Sequence, residues 1–169
     1  MRNLTPALVG LLLLASACQP KQPAESPTAG PAAEATPGYT PIQIDSAQLK
    51  TLVPGLQVFV AKQGTGQLAR VGDEVIVHYH GRLTNGQVFD SSFLRGAPYN
   101  VQGIGTGQVI QGWDKAIPTL PVGTRAVLVI APELGYGNQG SGPIPPNSTL
   151  VFDVEILGVN PNPNRAPAQ

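Results

Sequence analysis

Hydrophobic and polar residues alternate most regularly over residues 149–157. Leu150, Phe152, Val154 and Ile156 fall on one side there, with Asp153 and Glu155 on the other. That period of two belongs to a strand with one face buried. The same period runs through residues 73–81, where Val75, Val77 and Tyr79 share one face and Ile76, His78 and His80 share the other. Tyr79 therefore points with the valines, toward the interior. Residues 56–60 and 125–131 read as further strands, and residues 87–92 as a strand returning from Asn85-Gly86, a dipeptide suited to the positive φ angles of a type I′ hairpin turn. One stretch changes period: Val109, Ile110, Trp113 and Ile117 recur at intervals of three and four, which predicts an amphipathic helix over residues 107–117 ended by Pro118. A helix of roughly ten residues is marginal alone in water, so it must pack on something larger. Strands in series with one late helix predict an α+β fold, an antiparallel sheet wrapped on that helix. Residues 42–52 are compatible with a loose strand or a short helix, and residues 132–146 form a long loop rich in glycine and proline.

The two ends carry no such pattern. Residues 1–17 have the form of an export signal: Arg2, an apolar run from Leu8 to Leu14 that is too short to span a bilayer, and Ala15-Ser16-Ala17 before Cys18. Cys18 stands where the lipidated first residue of bacterial lipoproteins stands, although Ala15 occupies the position usually held by leucine. Residues 18–52 are expected to be a mostly disordered linker rich in proline and alanine, residues 53–159 the folded domain, and residues 160–169 a disordered tail. The expected location is outside the cytoplasm, on a membrane through the lipid on Cys18, facing the periplasm or the cell exterior.

Composition narrows the chemistry. Lysine and arginine total 10 and aspartate and glutamate total 10, with no basic run, so nucleic acid is not an expected partner. A single cysteine makes no internal disulfide. His78 and His80 share a strand face but have no evident third ligand, so solvated histidines and no metal are expected. The sequence contains no Gly-x-Ser-x-Gly elbow, phosphate loop or dinucleotide fingerprint, and no cofactor is expected. No oligomerisation helix is evident, which makes a monomer the expectation.

Six blocks follow one another in a recognisable order: Val77-His78-Tyr79-His80-Gly81, Gly86-Gln87-Val88-Phe89-Asp90-Ser91-Ser92, Val109-Ile110-Gln111-Gly112-Trp113, Gly135-Tyr136-Gly137, Ile144-Pro145-Pro146 and Leu150-Val151-Phe152-Asp153-Val154. Residues 55–159 thereby resemble the FKBP-type peptidyl-prolyl isomerases. The resemblance implies a five- to six-stranded antiparallel half-barrel around one short helix. It implies a pocket walled by Tyr79, Phe89, Val109, Ile110, Ile144 and Phe152 and floored by Trp113, with Asp90 and Tyr136 as polar groups and Arg95 supporting Asp90. Two departures from the family spacing stand out. The segment Gly103-Ile104-Gly105-Thr106 is one residue longer, and the loop between Tyr136 and Ile144 is one residue shorter, with a family histidine or aromatic replaced around Gly140 and Ser141.

The implied reaction is rotation about the bond preceding proline in exported polypeptides, with Asp90, Tyr136 and Phe89 as the catalytic groups. The resemblance also implies affinity for macrolide inhibitors of the tacrolimus and rapamycin kind. An alternative of a different class is a chaperone module that grips proline-containing segments with little turnover.

Overall fold

The computed structural model describes residues 37–164. The export signal, Cys18 and the first part of the linker lie outside the described residues, as does the end of the tail. Seven strands form one antiparallel sheet: β1 (Lys50–Val53), β2 (Leu56–Lys62), β3 (Glu74–Leu83), β4 (Val88–Ser91), β5 (Tyr99–Val101), β6 (Arg125–Ile130) and β7 (Leu150–Asn160). Their order is β1-β2-β6-β7-β3-β4, and β5 pairs with β3 beside β4. The count exceeds the expected five to six because β1 and β5 are too short to show a period. The central pair is β3 and β7, whose register sets Tyr79 opposite Val154, His80 opposite Asp153 and Gly81 opposite Phe152.

One α-helix, α1 (Gln111–Ala116), lies against the sheet and continues into a 3-10 turn, Ile117–Thr119. It is shorter than the sequence predicts. Ile110 is extended at φ −58° and ψ 146°, so it and Val109 precede the helix and do not lie on its face. Pro118 sits inside the 3-10 turn and so does not mark the end of α1. Gly112 permits the close seating, since a Cβ there would stand 2.6 Å from two side-chain carbons of Ile130. Between helix and sheet lies the main core, built from Val75, Val77, Tyr79, Leu128, Leu150, Phe152, Val154 and Ile156 around Trp113 and Ile117. Burying each large side chain of this kind contributes about 1.5–3 kcal/mol.

Several expectations give way to more specific structure. The β3–β4 hairpin is not type I′: only Gly86 has positive φ, at 88°, and Asn85 does not. Gly86 N–H donates to Leu83 O at 3.0 Å, Leu83 N–H donates to Gln87 O at 2.8 Å, and the Asn85 side chain accepts from Gln87 N–H at 3.0 Å. This is a three-residue loop closed by a left-handed glycine.

The sheet face away from the helix is not open to solvent at its centre either. His80 is 0% exposed and Asp153 3% exposed, contrary to the solvated histidine and polar face read from alternation. Their cover comes from the part of the chain expected to be linker. Tyr39 stacks on His80 with ring centroids 4.0 Å apart, and Ile42 and Leu49 pack on a second apolar cluster of Phe59, Val127 and Val151. A short 3-10 turn, Ser46–Gln48, capped by Asp45, leads into β1. The first residues of the predicted tail are also engaged. Asn160 ends β7, and Asn162 N–H donates to Asp73 Oδ1 at 2.9 Å.

Candidate active site

The residues that floor and wall a cavity of about 480 Å³ arrive from four directions. β3 and β7 bring Tyr79 and Phe152, because residues two apart on a strand share the helix-facing side. β4 brings Phe89 and Asp90, and the turn after it brings Arg95. The run into α1 brings Val109 and Ile110, and the first turn of α1 brings Trp113. The long loop brings Tyr136 and Ile144.

Aromatic edges meet aromatic faces at the bottom. Trp113 lies 5.1 Å from Tyr79 and 5.2 Å from Phe152, and Phe89 lies 5.4 Å from Phe152, with interplanar angles of 77° to 84°. Edge-to-face contacts of this kind fix ring orientation and add about 0.5–1.5 kcal/mol each. Gly81 makes room for two of the rings: a Cβ there would stand 2.6 Å from Phe89 Cε2 and 2.9 Å from Phe152 Cε1. The indole Nε1–H of Trp113 is buried without a hydrogen-bond partner among the described residues.

A charged group sits at the rim. Asp90 accepts from Tyr79 Oη–H and from Arg95 Nη1, and Arg95 Nη2 also donates to Tyr79 Oη at 2.6 Å. The guanidinium lies 5.2 Å from the centre of the Tyr79 ring. Burial first, and then the hydrogen bond to Asp90, push the Tyr79 hydroxyl up to about 12, so it stays protonated and donates. With side-chain exposures of 45% and 44%, the Arg95–Asp90 pair adds at most about 1 kcal/mol of stability. What the pair supplies is orientation of the carboxylate. Tyr136 stands across the cavity, 40% exposed, with its hydroxyl pushed above its ordinary value by burial and then by the charge of Asp90.

The segment preceding the helix is held by one carboxylate. Asp114 accepts from Gly105 N–H and Gly107 N–H, both at 2.8 Å, while Gly103, Gly105 and Gly107 take positive φ angles of 58°, 79° and 83°. The longer segment is thus folded into tight turns and tied to α1, which sets where Val109 and Ile110 emerge. In the long loop, Ser141 and Ile144 exchange backbone hydrogen bonds at 3.0 and 2.9 Å. That turn buries Ile144 and leaves Ser141, Gly142 and Pro143 along the cavity edge.

All ten pocket residues named from the sequence, Arg95 included, line this one cavity. Tyr99 and Gln108 also line it and were not anticipated. Tyr99 had a weak signal as an aromatic beside the Asn100-Val101 alternation. Gln108 had none, since a polar residue before a helix has many ordinary reasons to be there. Among the described residues no group of three or more histidine, cysteine, aspartate or glutamate side chains is placed to hold a metal ion.

The sequence pattern of the family described as FKBP-type peptidyl-prolyl cis-trans isomerase matches residues 65–157, more than half of the chain. The chain belongs to that family. It is 50% identical over 108 residues to a peptidyl-prolyl cis-trans isomerase of Schizosaccharomyces pombe, covering 63% of this chain and 96% of that one. To FK506-binding protein 1 of Dictyostelium discoideum it is 49% identical over 104 residues, covering 61% and 96%. The solved structure of FkpA from Escherichia coli superposes with a TM-score of 0.64 at 44% identity, over 69% of this chain and 53% of that one. The protein is therefore a peptidyl-prolyl cis-trans isomerase with the family's open antiparallel sheet and single short helix.

Proposed function

We propose that the cavity above Trp113 is where the prolyl bond turns, and that its clients are proline-containing segments of exported polypeptides. The barrier to that rotation is amide resonance, roughly 18–20 kcal/mol, and no covalent bond has to break. At the transition state the carbonyl stands out of the amide plane and resonance is lost. A site that favours this twisted form over both planar forms accelerates the reaction in both directions. In this reading Trp113, Phe89, Val109, Ile110 and Phe152 hold the pyrrolidine ring in apolar surroundings, where water cannot stabilise the planar, more polar amide. Tyr79 and Ile144 complete the walls. Tyr136 donates a hydrogen bond to a substrate carbonyl. Asp90, held by Tyr79 and Arg95, presents a fixed negative charge beside the rotating carbonyl carbon.

The observation that carries the reading is the juxtaposition of an aromatic-floored cavity with an oriented carboxylate at its rim. Macrolides of the tacrolimus and rapamycin kind would occupy the same cavity. The test is isomerisation of a prolyl peptide by wild type, Phe89→Ala and Asp90→Ala. If both variants keep wild-type turnover, the assignment fails. If wild type shows little turnover yet suppresses aggregation of an unfolded client, and both variants lose that suppression, the chaperone reading replaces it.

Export and lipid anchoring belong to the same proposal, and they rest on residues 1–18 alone. The mature N-terminus should begin at Cys18 and carry diacylglycerol, which intact-mass measurement of membrane-extracted protein reads directly. A mature chain beginning at an unmodified Cys18 would leave export without the anchor.

A further inference from the structure

The sheet face opposite the proposed catalytic cavity carries an arrangement the isomerase reaction does not use. His80 is 0% exposed on β3, yet neither ring nitrogen has a hydrogen-bond partner among the described residues. Its ring lies under that of Tyr39, with planes 16° apart. Asp153 on β7, directly across from His80, has its oxygens already occupied. Oδ2 accepts from Tyr39 Oη–H and from Ile42 N–H at 3.1 Å, and Oδ1 accepts from Arg82 Nη1 at 3.3 Å. Thr40 O accepts from Arg125 Nη2 at 3.2 Å, which completes the attachment of this segment at its start. Beyond Ile42 nearly every residue up to Gln48 is exposed, and only Ile42 and Leu49 touch the apolar cluster of Phe59, Val127 and Val151.

We propose that residues 39–49 form a strap over the outer face of the sheet and that protonation of His80 releases it. A buried polar ring without partners is tolerable only while it is neutral. Once charged, both nitrogens become donors and need acceptors or water, and Tyr39 is the lid that keeps water out. The charged groups around the ring divide. Asp153 on β7 favours the cation, Arg82 on β3 opposes it, and Arg125 on β6 with Glu155 on β7 form their own pair at 3.6 Å. His78, two residues along β3, is engaged with Ser92 Oγ at 2.9 Å and stacks on Phe93. Burial outweighs Asp153 and holds the His80 ring below its ordinary value of 6.5, which favours the neutral, closed form. Below pH 6.5 the opened form binds a proton that the closed form resists, so the equilibrium moves toward opening as the solution acidifies. Opening uncovers Phe59, Val127 and Val151, a second apolar surface on the side away from the catalytic cavity. The strap has the few buried contacts that mark a low-stability unit able to open while the sheet stays intact.

Hydrogen exchange on the full chain tests this, with rates corrected for the intrinsic pH dependence of exchange. Protection of the peptide covering residues 39–49 should fall by about ten-fold or more between roughly pH 7.5 and roughly pH 5, while peptides of β3 and β7 hold theirs. In His80→Phe, which keeps a ring under Tyr39 and cannot ionise, strap protection should not change with pH. Should that variant fail to fold, the NMR titration midpoint of His80 in wild type must coincide with the midpoint of strap opening. Constant strap protection in wild type overturns the proposal. So does an equal loss in His80→Phe, which would place the response on another group, and so do non-coincident midpoints.

Discussion

At the scale of single residues, the site depends as much on what is missing as on what is present. Gly81 has no side chain, and the edges of Phe89 and Phe152 occupy the space one would need. Gly81→Ala forces one ring or the strand to move, and overpacking of this kind costs about 1–3 kcal/mol. Urea unfolding should show a loss of that size, with a fall in kcat/KM because Phe89, only partly buried where Phe152 is 3% exposed, is the ring with room to give way. Tyr79 and Tyr39 make a related case. Each hydroxyl is held protonated, by burial first and then by a hydrogen bond to an aspartate, Tyr79 up to about 12 and Tyr39 higher still. A raised value means that the folded state keeps a proton the unfolded chain releases. The stability contribution is therefore intact below pH 10 and is lost as pH rises through the folded-state values. The urea midpoint should fall steeply above pH 10, and less steeply in Tyr79→Phe.

At the scale of elements, strand positions were readable because their signal is local. Leu150, Phe152, Val154 and Ile156 alternate in sequence and are all buried in the structure. The helix was readable as an element but not in its extent, since Val109 and Ile110 hold helical spacing while the backbone through Ile110 is extended. What fixes that backbone is Asp114 reaching back to Gly105 and Gly107, and nothing in a hydrophobic pattern reports a carboxylate gripping two amides. The burial of Asp153 was illegible for a similar reason. Its cover, Tyr39 and Ile42, lies more than a hundred residues earlier in a stretch whose composition resembles a linker. Removing the grip has a distinct signature. Asp114→Ala should free the segment before α1 and let Val109 and Ile110 drift, raising KM several-fold with a smaller effect on kcat. It should also cost about 1 kcal/mol of stability, since the exposed Gly107 amide turns to water and only the half-buried Gly105 amide loses its acceptor.

For the whole molecule, the sheet works on both of its faces. One side holds α1 and the cavity, and the other holds the segment that leads in from the N-terminal part of the chain. Among the described residues no helix is long and apolar enough to cross a membrane. The pocket could be assembled from sequence because every one of its ten named residues but Arg95 sits in six ordered blocks. Tyr99 and Gln108 escaped because β5 and the turn before α1 reach the cavity only through pairing and folding of the backbone.

The central claim is that an aromatic cavity with an oriented carboxylate lowers the barrier to prolyl rotation. The most direct measurement of it is kcat/KM for a prolyl peptide in wild type, Phe89→Ala and Asp90→Ala, with circular dichroism confirming that each variant is folded. Each variant should lose about ten-fold or more, equivalent to about 1.4 kcal/mol of transition-state stabilisation. Folded variants that both turn over at the wild-type rate would contradict it.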